Sequence, residues 1–502
     1  MMPPSLMVDR APFVRARAGS PRLRVRWLSA AIALGALLSA AAAAQLPAPV
    51  ARALARAGIP QGAAAFYVHE VGADRALLAT GADRPMNPAS SIKLLTTYAG
   101  LEILGPAYEW NTEAYATGPL KDGVLAGDLV LKGSGDPKLT IEPFWLLLRN
   151  LRARGVREIR GDLVLDRGYF SREGYDPSRF DGEATRPYNT GPDALLVNFK
   201  AVRLQFVPDA KARSVRIIAE PPLPQVQIVN RIVLDGAPCG DWMGRLKVDE
   251  QGGSAAARLA FSGHYAARCG ERERYYSVLG HAQYVLALFR ELWQELGGTL
   301  AGTVRDGAAD GDARLVAAVK SPSLSEIVRD INKYSNNVMA RQLFLTLGAA
   351  GMGAPATAEK ADRVLRQWLG AKGLAFPELV LENGSGLSRT ERISARNLGE
   401  VLLAAFRSPV MPELIASLPV AAVDGTMKKR LSGAPIAGQA HIKTGSLAGV
   451  RSIAGYVLDA RGRRMVVVFM ANHANAGHAQ PVQDALLNWV YSRNPDDCCA
   501  ER

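Results

Sequence analysis

A serine and a lysine three residues apart, Ser90 and Lys93, carry the first chemistry that the chain suggests. Apolar residues follow at helical spacing, which predicts a helix over residues 90–104 with both side chains on one face. A serine hydroxyl becomes a nucleophile when a neighbouring group takes its proton, and a desolvated amine near another positive charge can take it. A helix cap followed by a surface lysine would give the same pattern, so this pair needs partners elsewhere in the chain.

A turn with the residues Ser-Asn-Asn lies much later, between two apolar-periodic segments at 324–331 and 338–347 that we interpret as helices. It places Ser335 and Asn337 two residues apart. Serine and asparagine favour turns through local hydrogen bonds, so the triplet alone predicts only a loop.

A third segment, residues 443–446, has the sequence Lys-Thr-Gly-Ser and stands just before a strand predicted from residue 452. Alone it is an ordinary start of a strand. No single segment decides the chemistry, and the inference depends on the combination and order of the three.

Two predicted hairpins must position these segments. Strand-like runs at 65–71 and 75–80 form the first, and runs at 452–458 and 465–470 form the second, followed by a closing helix at 482–491. The hairpins are expected to share one antiparallel sheet with helices on its faces, which would join the two ends of the chain.

A long segment separates the hairpins. Gly-Asp-Leu-Val-Leu at 127–131 recurs at 161–165 with an amphipathic helix at 141–154 between the copies, which predicts two strands of a small α+β unit. Short alternating strands follow at 202–207, 215–219, 226–230 and 232–234, and a strong amphipathic helix is predicted at 283–296.

The predicted fold class is therefore α+β, with a discontinuous catalytic domain and a long insertion. We assign 45–112 and 275–495 to the catalytic domain, 113–197 and 264–274 to an inserted α+β domain, and 198–263 to an inserted β-rich domain. Residues 496–502 form a polar tail.

Composition and charge indicate an exported, basic protein. The 502 residues are 48% hydrophobic, enough for several cores. The first 44 residues carry six arginines, then an apolar run, then alanines ending at Ala44, which predicts a signal peptide cleaved near Ala44 and a periplasmic protein. A single membrane anchor is the alternative, but the apolar run is short. The net charge of +13 falls to +8 without these residues, so anionic cell-wall polymer or membrane headgroups are expected partners and nucleic acid is not.

The cysteines and histidines suggest no cofactor. Cys239 and Cys269 are a disulfide candidate in an oxidising compartment, with two unpaired thiols as the alternative, and Cys498 and Cys499 have no assigned role. The six histidines show no metal-ligand spacing, so neither a metal nor an organic cofactor is expected.

The order Ser-x-x-Lys, Ser-x-Asn, Lys-Thr-Gly resembles that of the penicillin-binding proteins and serine β-lactamases. The 245 residues between Ser90 and Ser335 exceed what a compact β-lactamase-like domain needs. With Gly-Asp-Leu at 127–129 and Asn-Gly-Ser-Gly-Leu-Ser-Arg at 383–389, the whole mature chain is similar to the class C low-molecular-mass penicillin-binding proteins, the D-alanyl-D-alanine carboxypeptidase/endopeptidase family.

This resemblance implies a penicillin-binding fold and specific roles. Ser90 would be the nucleophile, Lys93 its base, and Ser335 a proton relay toward the leaving amine. Lys443 would supply positive potential, and Asn337 would hold the acylated peptide and position Lys93. The resemblance further implies that the backbone N–H groups of Ser90 and Ser446 form the oxyanion hole, and that Thr444 binds the substrate's terminal carboxylate together with Lys443. Gly445 belongs to the same segment, and Arg389 would line the cleft.

The substrates implied are peptidoglycan stem peptides and their D-alanyl cross-bridges, with β-lactams acylating the same serine. Two alternatives remain: an exported serine β-lactamase, which the long insertion disfavours, and a catalytically silent cell-wall-binding protein, which the intact motifs disfavour.

Overall fold

The computed structural model describes residues 46–172, 174–309 and 311–493. The predicted signal peptide, the tail and Cys498 with Cys499 lie outside these residues. The described helices are α1 (Ala48–Arg56), α2 (Lys93–Leu104), α3 (Ile141–Ala153), α4 (His281–Glu295), α5 (Leu324–Lys333), α6 (Asn337–Met352), α7 (Ala358–Ala371), α8 (Ala395–Phe406), α9 (Met411–Ser417) and α10 (Gln480–Ser492). In this part of the chain no helix is long and apolar enough to cross a membrane.

The strands occur in three runs along the chain. They are β1 (Ala64–Glu70), β2 (Leu78–Thr80), β3 (Asn111–Ala116), β4 (Leu120–Lys121), β5 (Val124–Leu125), β6 (Leu129–Gly133), β7 (Glu158–Ile159), β8 (Leu163–Asp166), β9 (Val202–Asp209), β10 (Ser214–Glu220), β11 (Val226–Asp235), β12 (Leu246–Gly252), β13 (Ala257–Ala266), β14 (Arg272–Tyr276), β15 (Thr299–Leu300), β16 (Val304–Asp306), β17 (Arg314–Lys320), β18 (Ala440–Leu447), β19 (Val450–Leu458) and β20 (Arg464–Asn472).

The two predicted hairpins form one antiparallel sheet with the order β18-β19-β20-β1-β2. The pairing of β1 with β20 joins the beginning and the end of the described chain, as the sequence predicts. The sheet contributes to cores on both faces, because successive side chains of a strand point to opposite sides. Tyr67 faces the core that contains α2 and α8, whereas Phe66 faces the core that contains α1 and α10.

A second five-stranded sheet has the order β16-β8-β6-β3-β17. The repeated Gly-Asp-Leu-Val-Leu segments form β6 and β8, which pair in parallel and are connected through α3, so the predicted α+β unit is confirmed. The aspartates of the two repeats accept the same kind of hydrogen bond from a backbone N–H group. Asp128 Oδ1 accepts from the N–H of Asp162 at 2.7 Å, and Asp162 Oδ1 accepts from the N–H of Thr303 at 2.8 Å.

The β-rich segment forms two three-stranded sheets, β10-β9-β14 and β11-β13-β12. The separate strands predicted at 226–230 and 232–234 are wrong, because β11 is continuous and pairs with β13 along its whole length. Cys239 and Cys269, the candidate pair, are joined with an S–S distance of 2.12 Å.

The strand pairing does not agree with the predicted domain boundary at residue 275. Strands β14 to β17 pair with β9, β7, β8 and β3, and α4 contributes to the core shared by the α+β and β-rich parts. Residues 275–320 therefore belong structurally with the insertion, because their apolar side chains are buried against its sheets. We propose a catalytic domain that resumes after Lys320, and one inserted body with a continuous core.

Candidate active site

Ser90 lies in a short 3₁₀ turn, Ala89–Ile92, directly before α2. Its hydroxyl is partly exposed, whereas Lys93, the first residue of α2, is completely buried. Lys93 Nζ lies 3.0 Å from Ser90 Oγ. The predicted pair is therefore in contact, and the lysine is not a surface residue.

Buried polar contacts fix the turn that holds Ser90. Asn87 Oδ1 accepts from the N–H of Ala89 at 2.8 Å, and Ala89 takes a positive φ of 44°. From β19, Ser452 Oγ donates to the carbonyl of Pro88 at 2.5 Å and lies 2.8 Å from Ser91 Oγ. These contacts attach the turn to the central sheet.

The Ser-Asn-Asn segment joins α5 to α6. Ser335 takes a positive φ of 56°, and the side chain of Asn336 caps α6 by accepting from the N–H of Met339 at 3.1 Å. Asn337 begins α6, and its Oδ1 accepts from Lys93 Nζ at 2.6 Å.

Lys443 is fully buried and connects the third segment to the second. Its Nζ donates to Ser335 Oγ at 2.8 Å and to the carbonyl of Thr444 at 2.9 Å. The segment lies inside β18, an edge strand of the sheet, where residues 440–447 pair with β19. It precedes the strand predicted from residue 452, as expected, but the sequence did not predict that the segment is itself a strand.

Burial lowers the pKa of both lysines. Loss of water lowers the pKa of Lys93 well below its ordinary range; the positive charges of Lys443 and Arg341 lower it further, and the carboxyl of Glu391 opposes them. Burial lowers the pKa of Lys443 to about 7. A neutral Lys93 near neutral pH can accept a proton from Ser90.

The outer edge of β18 is open beside Ser90. The N–H of Ile442 bonds outward to Pro419 and the N–H of Ala421 bonds to the carbonyl of Ala440, so alternation directs the N–H of Ser446 to this same edge. Gly445 lies so close to the turn that an added Cβ would be 3.0 Å from the nitrogen of Ser90. The first-turn N–H of Ser90 and the edge N–H of Ser446 therefore border one cleft.

Two further predicted site residues lie at the rim. The hydroxyl of Thr444 donates to that of Thr426 at 2.8 Å. Arg389 is exposed, donates to the carbonyl of Ala448 at 3.2 Å and stacks 4.5 Å above the ring centre of Phe180. Neither contacts Ser90. The disulfide of Cys239 and Cys269 belongs to the core of the insertion.

Sequence reasoning used residues 383–389 only for the family resemblance and gave a role to Arg389 alone, so it missed what the loop at residues 382–388 does. The carbonyl of Ser385 accepts a hydrogen bond from Lys93 Nζ. Gly386 has a φ of +80°, and a Cβ there would lie 2.0 Å from the carbonyl oxygen of Ala89. The two glycines around Ser385 are the signal that could have indicated close backbone approach.

A cavity of about 960 Å³ lies on the other side of this loop. Its lining includes Tyr175, Phe180, Arg341, Phe344, Leu387 and Arg389. Ser90 and Lys93 are not part of that lining. Among the described residues no group of three or more histidine, cysteine or acidic side chains is arranged to hold a metal.

The fold and the cluster define a serine hydrolase of the penicillin-binding class. The model of the D-Ala-D-Ala carboxypeptidase 3 (S13) family matches residues 46–492. The chain belongs to that family, and it is a serine-type D-Ala-D-Ala carboxypeptidase.

Relatives agree across most of the chain. A D-alanyl-D-alanine carboxypeptidase of Actinomadura sp. (strain R39) is 30% identical over 418 residues, which are 80% of this chain and 76% of the relative. The D-alanyl-D-alanine carboxypeptidase DacB of Haemophilus influenzae is 25% identical over 394 residues, 78% and 81% of the two chains. The crystal structure of penicillin binding protein 4 from Haemophilus influenzae shares the fold, with a TM-score of 0.74 at 24% identity over 88% of this chain and 99% of that chain.

Proposed function

We propose that this carboxypeptidase hydrolyses the D-alanyl-D-alanine end of peptidoglycan stem peptides through an acyl-enzyme on Ser90. The observation that carries the proposal is the buried amine of Lys93, 3.0 Å from Ser90 Oγ, with a lowered pKa. Lys93 takes the hydroxyl proton as Oγ bonds to the carbonyl carbon of the penultimate D-alanine. The C–N bond then breaks and the terminal D-alanine leaves.

The second hydroxyl–lysine pair completes the proton path. The leaving amine needs a proton, and we expect Ser335 Oγ, 2.8 Å from Lys443 Nζ, to relay to it the proton that Lys93 took from Ser90, with Lys443 stabilising the relay. Asn337 accepts from Lys93 at 2.6 Å and positions the base. Water then cleaves the ester and regenerates Ser90.

The open edge of β18 would receive the peptide as an additional strand. The N–H groups of Ser90 and Ser446 would donate to the oxyanion, and the segment from Lys443 through Gly445, with the hydroxyl of Thr444, would meet the terminal carboxylate. Arg389 would bind the substrate at the rim of the cleft.

Cleavage of D-alanyl cross-bridges is the same reaction with a larger leaving group, and it belongs to this proposal. β-Lactams would acylate Ser90 and deacylate slowly, because the expelled nitrogen stays attached to the acyl group. The Haemophilus influenzae relative has been solved with a bound β-lactam.

Export to the periplasm, with cleavage near Ala44, fits such a substrate, which lies outside the cytoplasm. The six arginines and the apolar run before Ala44 support it. Peripheral contact with anionic cell wall or membrane is proposed from the basic charge of the mature chain. N-terminal sequencing of the secreted protein should begin near Gln45, and an intact N-terminus would contradict cleavage.

The test combines labelling with product analysis. Purified protein is incubated with labelled penicillin, the adduct is located by peptide mass spectrometry, and D-alanine release from a pentapeptide is measured. We expect a stable adduct on Ser90 and D-alanine release, both lost in Ser90→Ala. Rapid turnover of the drug without D-alanine release would favour a β-lactamase, and D-alanine release by Ser90→Ala would contradict the assignment.

A further inference from the structure

Glu391 is a buried carboxyl whose contacts the proposed reaction does not use. It is completely buried, and its Oε1 accepts from the backbone N–H groups of Glu382 at 3.2 Å, Asn383 at 2.9 Å and Gly384 at 2.9 Å. Its Oε2 has no hydrogen-bond partner, and within the described residues it forms no ion pair with a lysine or arginine. A single oxygen of Glu391 thus accepts hydrogen bonds from three consecutive backbone N–H groups of the 382–388 loop.

That loop surrounds the base. The carbonyl of Ser385 accepts from Lys93 Nζ, and the carbonyl of Gly384 accepts from Thr96 Oγ1 of α2 at 2.7 Å. Gly384 and Gly386 both have positive φ, +65° and +80°, so the loop has a conformation that other residues rarely adopt. Three amides converging on Glu391 stabilise this conformation against relaxation.

The carbonyl of Ser385 determines the direction of the lone pair on Lys93 Nζ. A neutral amine has two N–H bonds and one lone pair, and Lys93 Nζ has three neighbours: Ser385 O, Asn337 Oδ1 and Ser90 Oγ. The first two can only accept, because they are carbonyl oxygens. The two N–H bonds are therefore directed to them, and the lone pair faces the Ser90 hydroxyl. If Ser385 O moves away, this orientation is no longer imposed.

We infer that Glu391 is a positioning residue for the acylation step: by holding the amides of 382–384 it places Ser385 O, and thereby directs the lone pair of Lys93 at Ser90. This inference rests on the proposed role of Ser90 and Lys93. Glu391 touches neither the substrate nor the reacting atoms. It acts on the base through the loop, in addition to the charge by which its carboxyl raises the pKa of Lys93.

The test separates binding from acylation. Acylation by a fluorescent penicillin is followed in stopped flow, which resolves the dissociation constant of the first complex from the acylation rate constant. Glu391→Ala should lower the rate constant by about 100-fold, the scale of an ångström-level misplacement, and leave the dissociation constant unchanged. Glu391→Gln keeps an acceptor oxygen for the three amides and should recover most of the rate.

Glu378→Ala is the matched control. Glu378 Oε1 also accepts from a backbone N–H, that of Ser394 at 3.0 Å, and from Asn397 Nδ2 at 2.6 Å, but it does not bond to the 382–388 loop. The Glu378→Ala variant should be acylated at the wild-type rate. Wild-type rates for Glu391→Ala, or equal losses for Glu391→Gln and Glu391→Ala, would overturn the inference.

If Glu391→Ala does not fold, Glu391→Asp becomes the deciding variant. Its side chain is one methylene shorter, so its carboxylate lies farther from the backbone N–H groups of the loop. We expect a reduced rate constant for it, and a wild-type rate would overturn the inference. Failure of the proposed function looks different: in that case the wild-type protein itself would carry no adduct on Ser90.

Discussion

Two buried lysines distinguish this site at the scale of single residues. An ammonium group without water or a carboxylate partner is unfavourable, so the protein holds Lys93 and Lys443 in an environment that favours the neutral amine. As the pH falls through about 7, Lys443 gains its proton. The resulting charge opposes protonation of Lys93 and keeps the base available at lower pH.

Lys443→Gln tests this coupling. Without the charge of Lys443 the pKa of Lys93 rises, because a repelling cation has been removed. Lys93 is active only when neutral, so the acid limb of the acylation rate should move to higher pH. The measurement is the acylation rate constant of both proteins between pH 5 and 9, a range that includes the pKa of about 7 of Lys443. An acid limb that stays in place or moves to lower pH would contradict the coupling.

Gly445→Ala tests the close approach of β18 to the nucleophile. The new Cβ would lie 2.2 Å from Ser452 Oγ and 2.7 Å from the carbonyl oxygen of Pro88, so the strand or the turn must move. We expect a loss of about 1–3 kcal/mol in the free energy of unfolding and an approximately 100-fold slower acylation. Gly370→Ala in α7 is the control, because its Cβ meets no neighbour within 4 Å. Equal acylation rates for both variants would show that the approach is not required.

At the scale of elements, the start of α6 presents two of the proposed catalytic residues. Asn336 caps this helix between Ser335 and Asn337, and Ser335 reaches Lys443 from a left-handed conformation. The cap therefore fixes the turn as well as the helix.

Asn336→Ala should lower the free energy of unfolding by about 1 kcal/mol and also slow acylation. Ser394→Ala is the matched control, since Ser394 Oγ caps α8 by accepting from the N–H of Asn397 at 3.1 Å without contacting the site. Urea unfolding and penicillin acylation of both variants check the prediction. A similar effect of the two substitutions on acylation would mean that only general stability is involved.

At the scale of the whole molecule, the insertion has its own core. Phe206, Phe261 and Leu129 share one cluster, whereas the residues around α2 belong to another. The disulfide closes a segment with a separation of 30 residues inside the first cluster.

The double variant Cys239→Ala/Cys269→Ala should destabilise the β-rich part by about 3–4 kcal/mol, the chain-entropy value for a loop of this length. Acylation of Ser90 should remain at the wild-type rate, because the pair lies outside the catalytic core. Limited proteolysis in urea, with the cut sites mapped by mass spectrometry, measures the destabilisation of the β-rich part. Wild-type protein with its disulfide reduced is the control. A matching loss of acylation would show that the two cores are coupled.

The sequence alone determined the class of chemistry and the central sheet. Ser90, Lys93, Ser335, Asn337 and Lys443 could be chosen because their types and order are specific, and the structure brings them into contact. The hairpins followed from strand-like runs on either side of turn residues, because such runs and turns are local features of the sequence.

Only the tertiary structure decided the contacts made by backbone groups and by distant partners. Ser385 contributes a carbonyl, which every residue possesses, so no residue type reveals that it meets Lys93. The end that we propose for the insertion, at Lys320, depends on pairing between β17 and β3, which are far apart in sequence. The neutral state favoured for Lys93 likewise depends on burial, because desolvation is produced by the assembled fold and not by a local pattern.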